Sequence, residues 1–178
     1  MPMNEYYLRW EPLNGRTGHE AGRALLAKLY REIVGEEMPE ITITDRGKPC
    51  FREGTWFFSI SHTPCKVFCA LSRSSIGIDA EELTRQVKPA LAEKVLSANE
   101  KAQYDAAEDK NRALLTFWVL KEASVKCSGA GLWGYPNRTD FSLDDPRVTE
   151  MAGCLLAVVQ FHRIPNPWEN GADFSLPE

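Results

Sequence analysis

The stretch Leu114-Leu-Thr-Phe-Trp-Val-Leu-Lys-Glu-Ala-Ser-Val-Lys126 lies in the strongest helical segment of this 178-residue chain. At 100° per residue, Leu114, Leu115, Trp118 and Val125 fall on one apolar stripe. Glu122 falls inside that stripe, with Lys126 on one edge and Lys121 on the other. A Glu-to-Lys pair four residues apart on a helix surface stabilises by only about 0.2–0.5 kcal/mol. A carboxylate on the core side of a helix is different, because an unpaired buried charge is costly and demands a partner. The helix is expected over about Asn111 to Ser128, stopping at Gly129.

Upstream lies Ile76-Gly-Ile-Asp-Ala-Glu81, which alternates as a strand. Ile76 and Ile78 share one face, and Asp79 and Glu81 share the other, about 6.5–7 Å apart along the backbone. Two carboxylates so placed can converge on one hard cation and repel each other without it. A strand running into an acidic turn at Glu82 is the ordinary alternative. Further upstream, strands are expected at Trp56–Ile60 and Val67–Leu71, joined through Ser61-His-Thr-Pro64, and a short one at Ile41-Thr-Ile-Thr44. Asp45-Arg-Gly-Lys-Pro49 reads as a tight loop. Ala21, Leu25, Leu29 and Ile33 mark a helix over His19–Val34 that Gly35 caps. Residues 3–10 read as a first strand. Downstream, Lys88–Ala107 reads as polar helix broken at Ser97-Ala-Asn-Glu100. Phe141-Ser-Leu143 and Cys154–Phe161 read as a closing hairpin, followed by a loose tail from Pro165.

Composition narrows the function classes. With 43% hydrophobic and 26% charged residues the chain is expected to fold as a globular unit. The longest strongly apolar stretch, Cys154–Val159, is far short of a membrane span, and the first residues lack the pattern of a secretory signal. Five cysteines without a Cys-x-x-Cys pair suit a reducing, cytosolic compartment rather than a disulfide framework or a zinc site. Net charge is −4. Residues 1–78 hold ten Lys or Arg against nine Asp or Glu, and the remainder holds eleven against sixteen. That balance excludes the basic stripe of a nucleic-acid binder. An anionic ligand must then be held by a few placed cations.

Those cations have candidates. Lys48, on the loop Gly47-Lys-Pro49, offers charge beside backbone N–H groups. His62, at a strand end, offers a second donor, although a histidine before Thr-Pro is more often a turn residue. Three carboxylates (Asp79, Glu81, Glu122) with Lys48, His62 and Lys126 make up the parts for a magnesium-bridged diphosphate.

Taken in order, Phe58-Ser-Ile-Ser-His62, Ile76-Gly-Ile-Asp-Ala-Glu81 and Trp118-Val-Leu-Lys-Glu-Ala-Ser-Val-Lys126 resemble the motifs of the 4′-phosphopantetheinyl transferases. Gly47-Lys-Pro49 and Gly129-Ala-Gly-Leu132 fit the same pattern, and the resemblance covers about Ala21 to Val159. The chain resembles the two-lobed, synthetase-activating type. That resemblance implies an α+β fold of two pseudo-symmetric lobes, each a small antiparallel sheet packed on helices. Residues 1–75 would form the nucleotide lobe and 76–178 the metal-binding and catalytic lobe of a monomer. It also implies coenzyme A as co-substrate, Mg²⁺ as cofactor, and an acyl or peptidyl carrier protein as partner, with no nucleic acid and no membrane. Asp79, Glu81 and Glu122 would hold the metal, with Glu122 and Lys126 catalytic. Gly47, Lys48 and Pro49 would line the adenine and ribose side. Ser61, His62 and Lys126 would meet phosphates, and Arg23 the 3′-phosphate.

The reaction implied is transfer of the phosphopantetheine arm to a carrier serine, with release of 3′,5′-ADP. Two departures stand out: Ser59 replaces the family's common Asn, and the N-terminal stretch is short, with Arg16 as a substitute cation. A non-catalytic relative that binds coenzyme A or a carrier, and a magnesium-dependent phosphohydrolase, are the competing classes. The segment Leu83–Ser97, with Arg85, Lys88, Leu91 and Lys94, is the expected carrier-docking surface.

Overall fold

Val67-Phe-Cys-Ala-Leu71 has no side chain left for solvent, so the strand that carries it must be covered on both faces. The computed structural model, which describes residues 6–129 and 140–161, shows how. Strand β1 (Tyr6–Pro12), helix α1 (Gly18–Val34), the short strands β2 (Ile41–Ile43) and β3 (Pro49–Phe51), and strands β4 (Phe57–His62) and β5 (Lys66–Ser72) form the first half. Strand β6 (Ser75–Glu82), a 3₁₀ turn at Pro89–Leu91, helices α2 (Ala92–Val95), α3 (Ala98–Ala106) and α4 (Lys110–Ser128), and strands β7 (Val148–Met151) and β8 (Cys154–Phe161) form the second.

The fold is α+β, with small antiparallel sheets packed against helices. One sheet is ordered β1-β5-β4, another β6-β8-β7, and β2 pairs only with β3. Val67, Cys69 and Leu71 face Leu25, Leu26 and Leu29 of α1, while Phe68 and Ala70 face the second sheet. That sheet meets them with Ile76, Ile78 and Ala80 of β6 and Cys154, Leu156 and Val158 of β8. Its other face, with Leu155, Ala157 and Val159, packs on α4. The layers are therefore α1, sheet, sheet, α4. The two sheets are also stitched directly: Ser59 Oγ accepts the Ile78 N–H at 3.0 Å and Ser61 Oγ accepts the Ala80 N–H at 3.1 Å.

Local signals explain the helix ends. Thr17 and Glu20 form a reciprocal capping box at the start of α1, and Gly35, at φ 81°, closes it. Ser97 and Glu100 do the same for α3, which is where the break in 88–107 was expected. Asp109 caps α4, and Gly129 ends it in the left-handed region.

Three expectations are corrected. Phe141–Leu143 is not a strand; β8 pairs instead with Val148–Met151 through Ala152 and Gly153, both at positive φ (53° and 74°). Two such residues give the turn whose twist suits a tight hairpin, and Ala at the first of them hides the usual Asn-Gly signal. The polar helix read over Lys88–Ala107 is a 3₁₀ turn that starts at Pro89, then α2, and after the break at Ser97 α3, so its first part is much shorter than a continuous helix. Strand β3 was not anticipated. Residues 3–5 of the expected first strand, Ala130–Leu132 and the tail from Pro165 lie outside the described residues. Among the described residues no helix is long and apolar enough to cross a membrane.

Candidate active site

β6 runs between α4 and the β4 edge, and the site forms where they meet. Gly77 lets helix and strand touch: a Cβ there would overlap the Ala123 carbonyl oxygen and the Cys127 nitrogen, and would lie 2.8 Å from Cys127 Cα. With α4 that close, the residues that alternate with Gly77, namely Asp79 and Glu81, are brought under Glu122 and Lys126.

Asp79 is buried, and the Lys126 ammonium donates to its Oδ1 at 2.6 Å. Ser61 Oγ donates to the same oxygen at 3.0 Å. The second oxygen, Oδ2, is buried without any hydrogen-bond partner. Glu81 is ion-paired with Arg85. Glu122 is half-buried, and its proton affinity is raised above the usual carboxylate range, first by burial and then by the charge of Asp79, with Glu81 adding to it and Lys126 opposing it. The three acids thus share one field. Among the described residues, however, no three His, Cys, Asp or Glu side chains stand close enough together to hold a metal ion as they are. Lys126 and Arg85 each occupy one oxygen of these carboxylates. The orphaned Asp79 Oδ2 and the excess negative charge felt by Glu122 fit a hard, oxygen-liganded divalent cation.

Beside this cluster lies a cleft of about 500 Å³, a volume suited to a small-molecule ligand. Arg23, Gly47, Lys48, Pro49, His62 and Lys126 all line it. Six of the seven predicted coenzyme-side residues therefore gather on one hollow, drawn from α1, the β2–β3 loop, β4 and α4. Ser61 does not line it; its hydroxyl is engaged by Asp79 and the Ala80 N–H. Lys48 lines the cleft with its stem, while its ammonium donates to the Cys127 carbonyl in the last turn of α4 at 2.9 Å. Burial lowers the proton affinity of that amine. The His62 ring covers Gly18 at the start of α1, where a Cβ would lie 2.7 Å from Nε2. Arg23 makes no ion pair or hydrogen bond with another described residue.

Sequence reasoning missed His19 and Arg46, which also line the cleft. The signal for His19 was its place four residues before Arg23 on the same helix face. Arg46 sits in the very loop already singled out for Lys48. It also missed the setting of Lys121, expected on the stripe's edge but only 2% exposed and paired with Glu100 at 2.8 Å.

A profile of the 4′-phosphopantetheinyl transferase superfamily matches residues 75–169, more than half of the chain. Over 124 residues the chain is 34% identical to 4′-phosphopantetheinyl transferase AcpT of Salmonella typhi, covering 66% of this chain and 62% of that protein. Over another 124 it is 34% identical to 4′-phosphopantetheinyl transferase Sfp of Bacillus subtilis, covering 64% and 54%. Over 116 residues it is 29% identical to 4′-phosphopantetheinyl transferase psf-1 of Bacillus pumilus, covering 62% and 49%. The chain thus spans about half to three fifths of the length of the relatives it matches.

Proposed function

The chain belongs to the 4′-phosphopantetheinyl transferase superfamily, and on that premise we propose that it transfers the phosphopantetheine arm of coenzyme A to a serine of an acyl or peptidyl carrier protein. The observation that carries this reading is the double engagement of Lys126, which lines the cleft and pairs with Asp79 at 2.6 Å. One cation links a hollow of nucleotide size to the acidic cluster, where a diphosphate and its metal would have to meet.

In this reading residues 1–75 supply the nucleotide side and 76–178 the chemistry. Arg23 takes the 3′-phosphate, with Gly47, Lys48 and Pro49 beside the adenosine and His62 at the phosphates. Ser61 serves by holding Asp79. Asp79, Glu81 and Glu122 would hold magnesium, which would supply neutralising charge at the diphosphate. The serine hydroxyl attacks the β-phosphorus, forming a new O–P bond as the bond from that phosphorus to the bridging oxygen breaks and 3′,5′-ADP leaves. Glu122 accepts the serine proton. Lys126 faces the negative charge gathering on the leaving group.

The carrier is placed against Leu83–Ser97, which leaves the acidic strand and exposes Lys88 and Lys94. Five free cysteines suit a cytosolic enzyme, and a chain that lines both sides of its cleft needs no second copy to complete it. Incubation with coenzyme A, Mg²⁺ and a panel of apo-carriers tests the reading. One phosphopantetheine of added mass on a carrier supports it. Coenzyme A binding without mass gain on any carrier would favour a non-catalytic relative.

A further inference from the structure

Glu100 and Lys121 form an ion pair whose side chains are 0% and 1% exposed, the most deeply buried charges among the described residues. Nothing in the transfer chemistry uses either of them. Burying two charges is expensive, and an apolar pair of the same volume is often as stable or more so. Bulk stability is therefore a poor reason for the pair to be here.

Its connections suggest a better one. Glu100 is the capping-box acid of α3, and its Oε2 accepts the Ser97 N–H at 2.9 Å as well as the Lys121 ammonium at 2.8 Å. Its Oε1 accepts the Phe141 N–H at 3.0 Å, where the chain re-enters the described structure after α4. One carboxylate thus ties the start of α3, the middle of α4 and the Phe141 segment to a single point. Lys121 precedes Glu122 directly, so the two side chains leave α4 about 100° apart. One is pinned at the α3 side, and the other is held over β6.

We propose that the buried Glu100–Lys121 pair is a positioning device that sets the azimuth of α4, and thereby aims Glu122 and Lys126 at Asp79 and the cleft. The apolar residues of α4 cannot do this alone. Ala113 to Leu120 are buried on nearly every side except at Trp118, so no polar face of this stretch sets the direction in which α4 turns. An ion pair has one direction. The inference rests on the proposed role of Glu122 in transfer.

The test uses Glu100→Gln, Lys121→Met and the double variant Glu100→Gln/Lys121→Met. Each single change strands one charge and is expected to lower the melting temperature. The double variant strands none, and is expected to regain stability. If the pair aims Glu122, the double variant stays about a hundredfold slow in kcat, the scale of a displacement of about 1 Å at a reacting group. Its KM for coenzyme A should rise by less than kcat falls, because Arg23, Gly47, Lys48, Pro49 and His62 line the cleft from elements other than α4. Lys121→Arg, which keeps a charge pair but is larger and forked, is expected to lose some stability and yet to lose only about tenfold in kcat, less than the double variant. Wild-type kcat in the folded double variant, or a loss confined to KM, would overturn the inference and leave the transferase reading standing. A wild-type protein that loads no carrier would overturn both.

Discussion

Lys126 Nζ reaches Asp79 Oδ1 across 47 residues of sequence, and the other oxygen of that carboxylate is left buried and alone. An acid that balances one cation and keeps a free, dehydrated oxygen is unfinished on its own. Asp79→Asn removes the charge and leaves Lys126 facing an amide. In the wild-type protein, Mg²⁺ is expected to raise the melting temperature by binding the folded state. That rise should vanish in Asp79→Asn, with carrier loading down more than about a hundredfold. An unchanged thermal response to Mg²⁺ would remove Asp79 from the metal site.

Glu122→Gln separates activity from stability. The native carboxylate is disfavoured by burial and by Asp79 and Glu81, so a neutral amide in its place relieves the folded protein. Carrier loading should fall more than about a hundredfold, while the melting temperature at pH 7 without divalent ions holds or rises. A variant that loads carriers at the native rate would dismiss Glu122 as the proton acceptor.

Gly77→Ala places a methyl group against backbone atoms of α4 that no rotamer change can move. Overpacking of this kind costs about 1–3 kcal/mol, or more where backbone must shift. Denaturant unfolding should show a loss at or above the top of that range. Little change would mean that α4 can lift from β6 freely.

Ser59→Ala leaves the Ile78 N–H buried without its acceptor. A stranded donor costs about 1–3 kcal/mol. Since Ser59 touches the backbone next to Asp79, Ser59→Asn, the family's commoner residue, should recover most of the stability in the same denaturant titration if its amide oxygen reaches that N–H.

Asp145 supplies a pH dependence remote from the site. Hydrogen bonds from Arg147, at 2.9 and 2.7 Å, hold its carboxyl below its ordinary value of 3.8. Because the folded-state value is depressed, the stabilisation is full above 3.8 and disappears as pH falls through the lower, folded value. Asp145→Asn should therefore cost about 0.5–1 kcal/mol at pH 6, because solvent reaches Arg147 and screens the pair, and little near pH 2. Equal losses at both would show that the charge is not what matters.

The pattern of outcomes along the chain follows physical range. Helix α1 was readable because Ala21, Leu25, Leu29 and Ile33 repeat at helical spacing and Gly35 ends it; those are properties of neighbouring residues. The face shared by Asp79 and Glu81 was readable for the same reason, since alternation is fixed once a strand is assumed. The motifs also pointed to residues that the fold gathers on one cleft, down to the loop that carries Lys48.

Periodicity failed where partners decide. Lys121 read as a stripe-edge residue, because nothing near it in sequence announces Glu100 waiting on another helix. Ser61, which the resemblance implies as a phosphate contact, is bonded to Asp79 because β4 runs along β6, a neighbour that its own stretch of sequence does not announce. β7 was overlooked because its turn uses Ala152, a residue whose positive φ is set by the hairpin around it. Residue spacing on an element is determined by its own backbone. Which ammonium meets which carboxylate depends on layers that close only when α1, both sheets and α4 are stacked, and that is an energy of the whole chain.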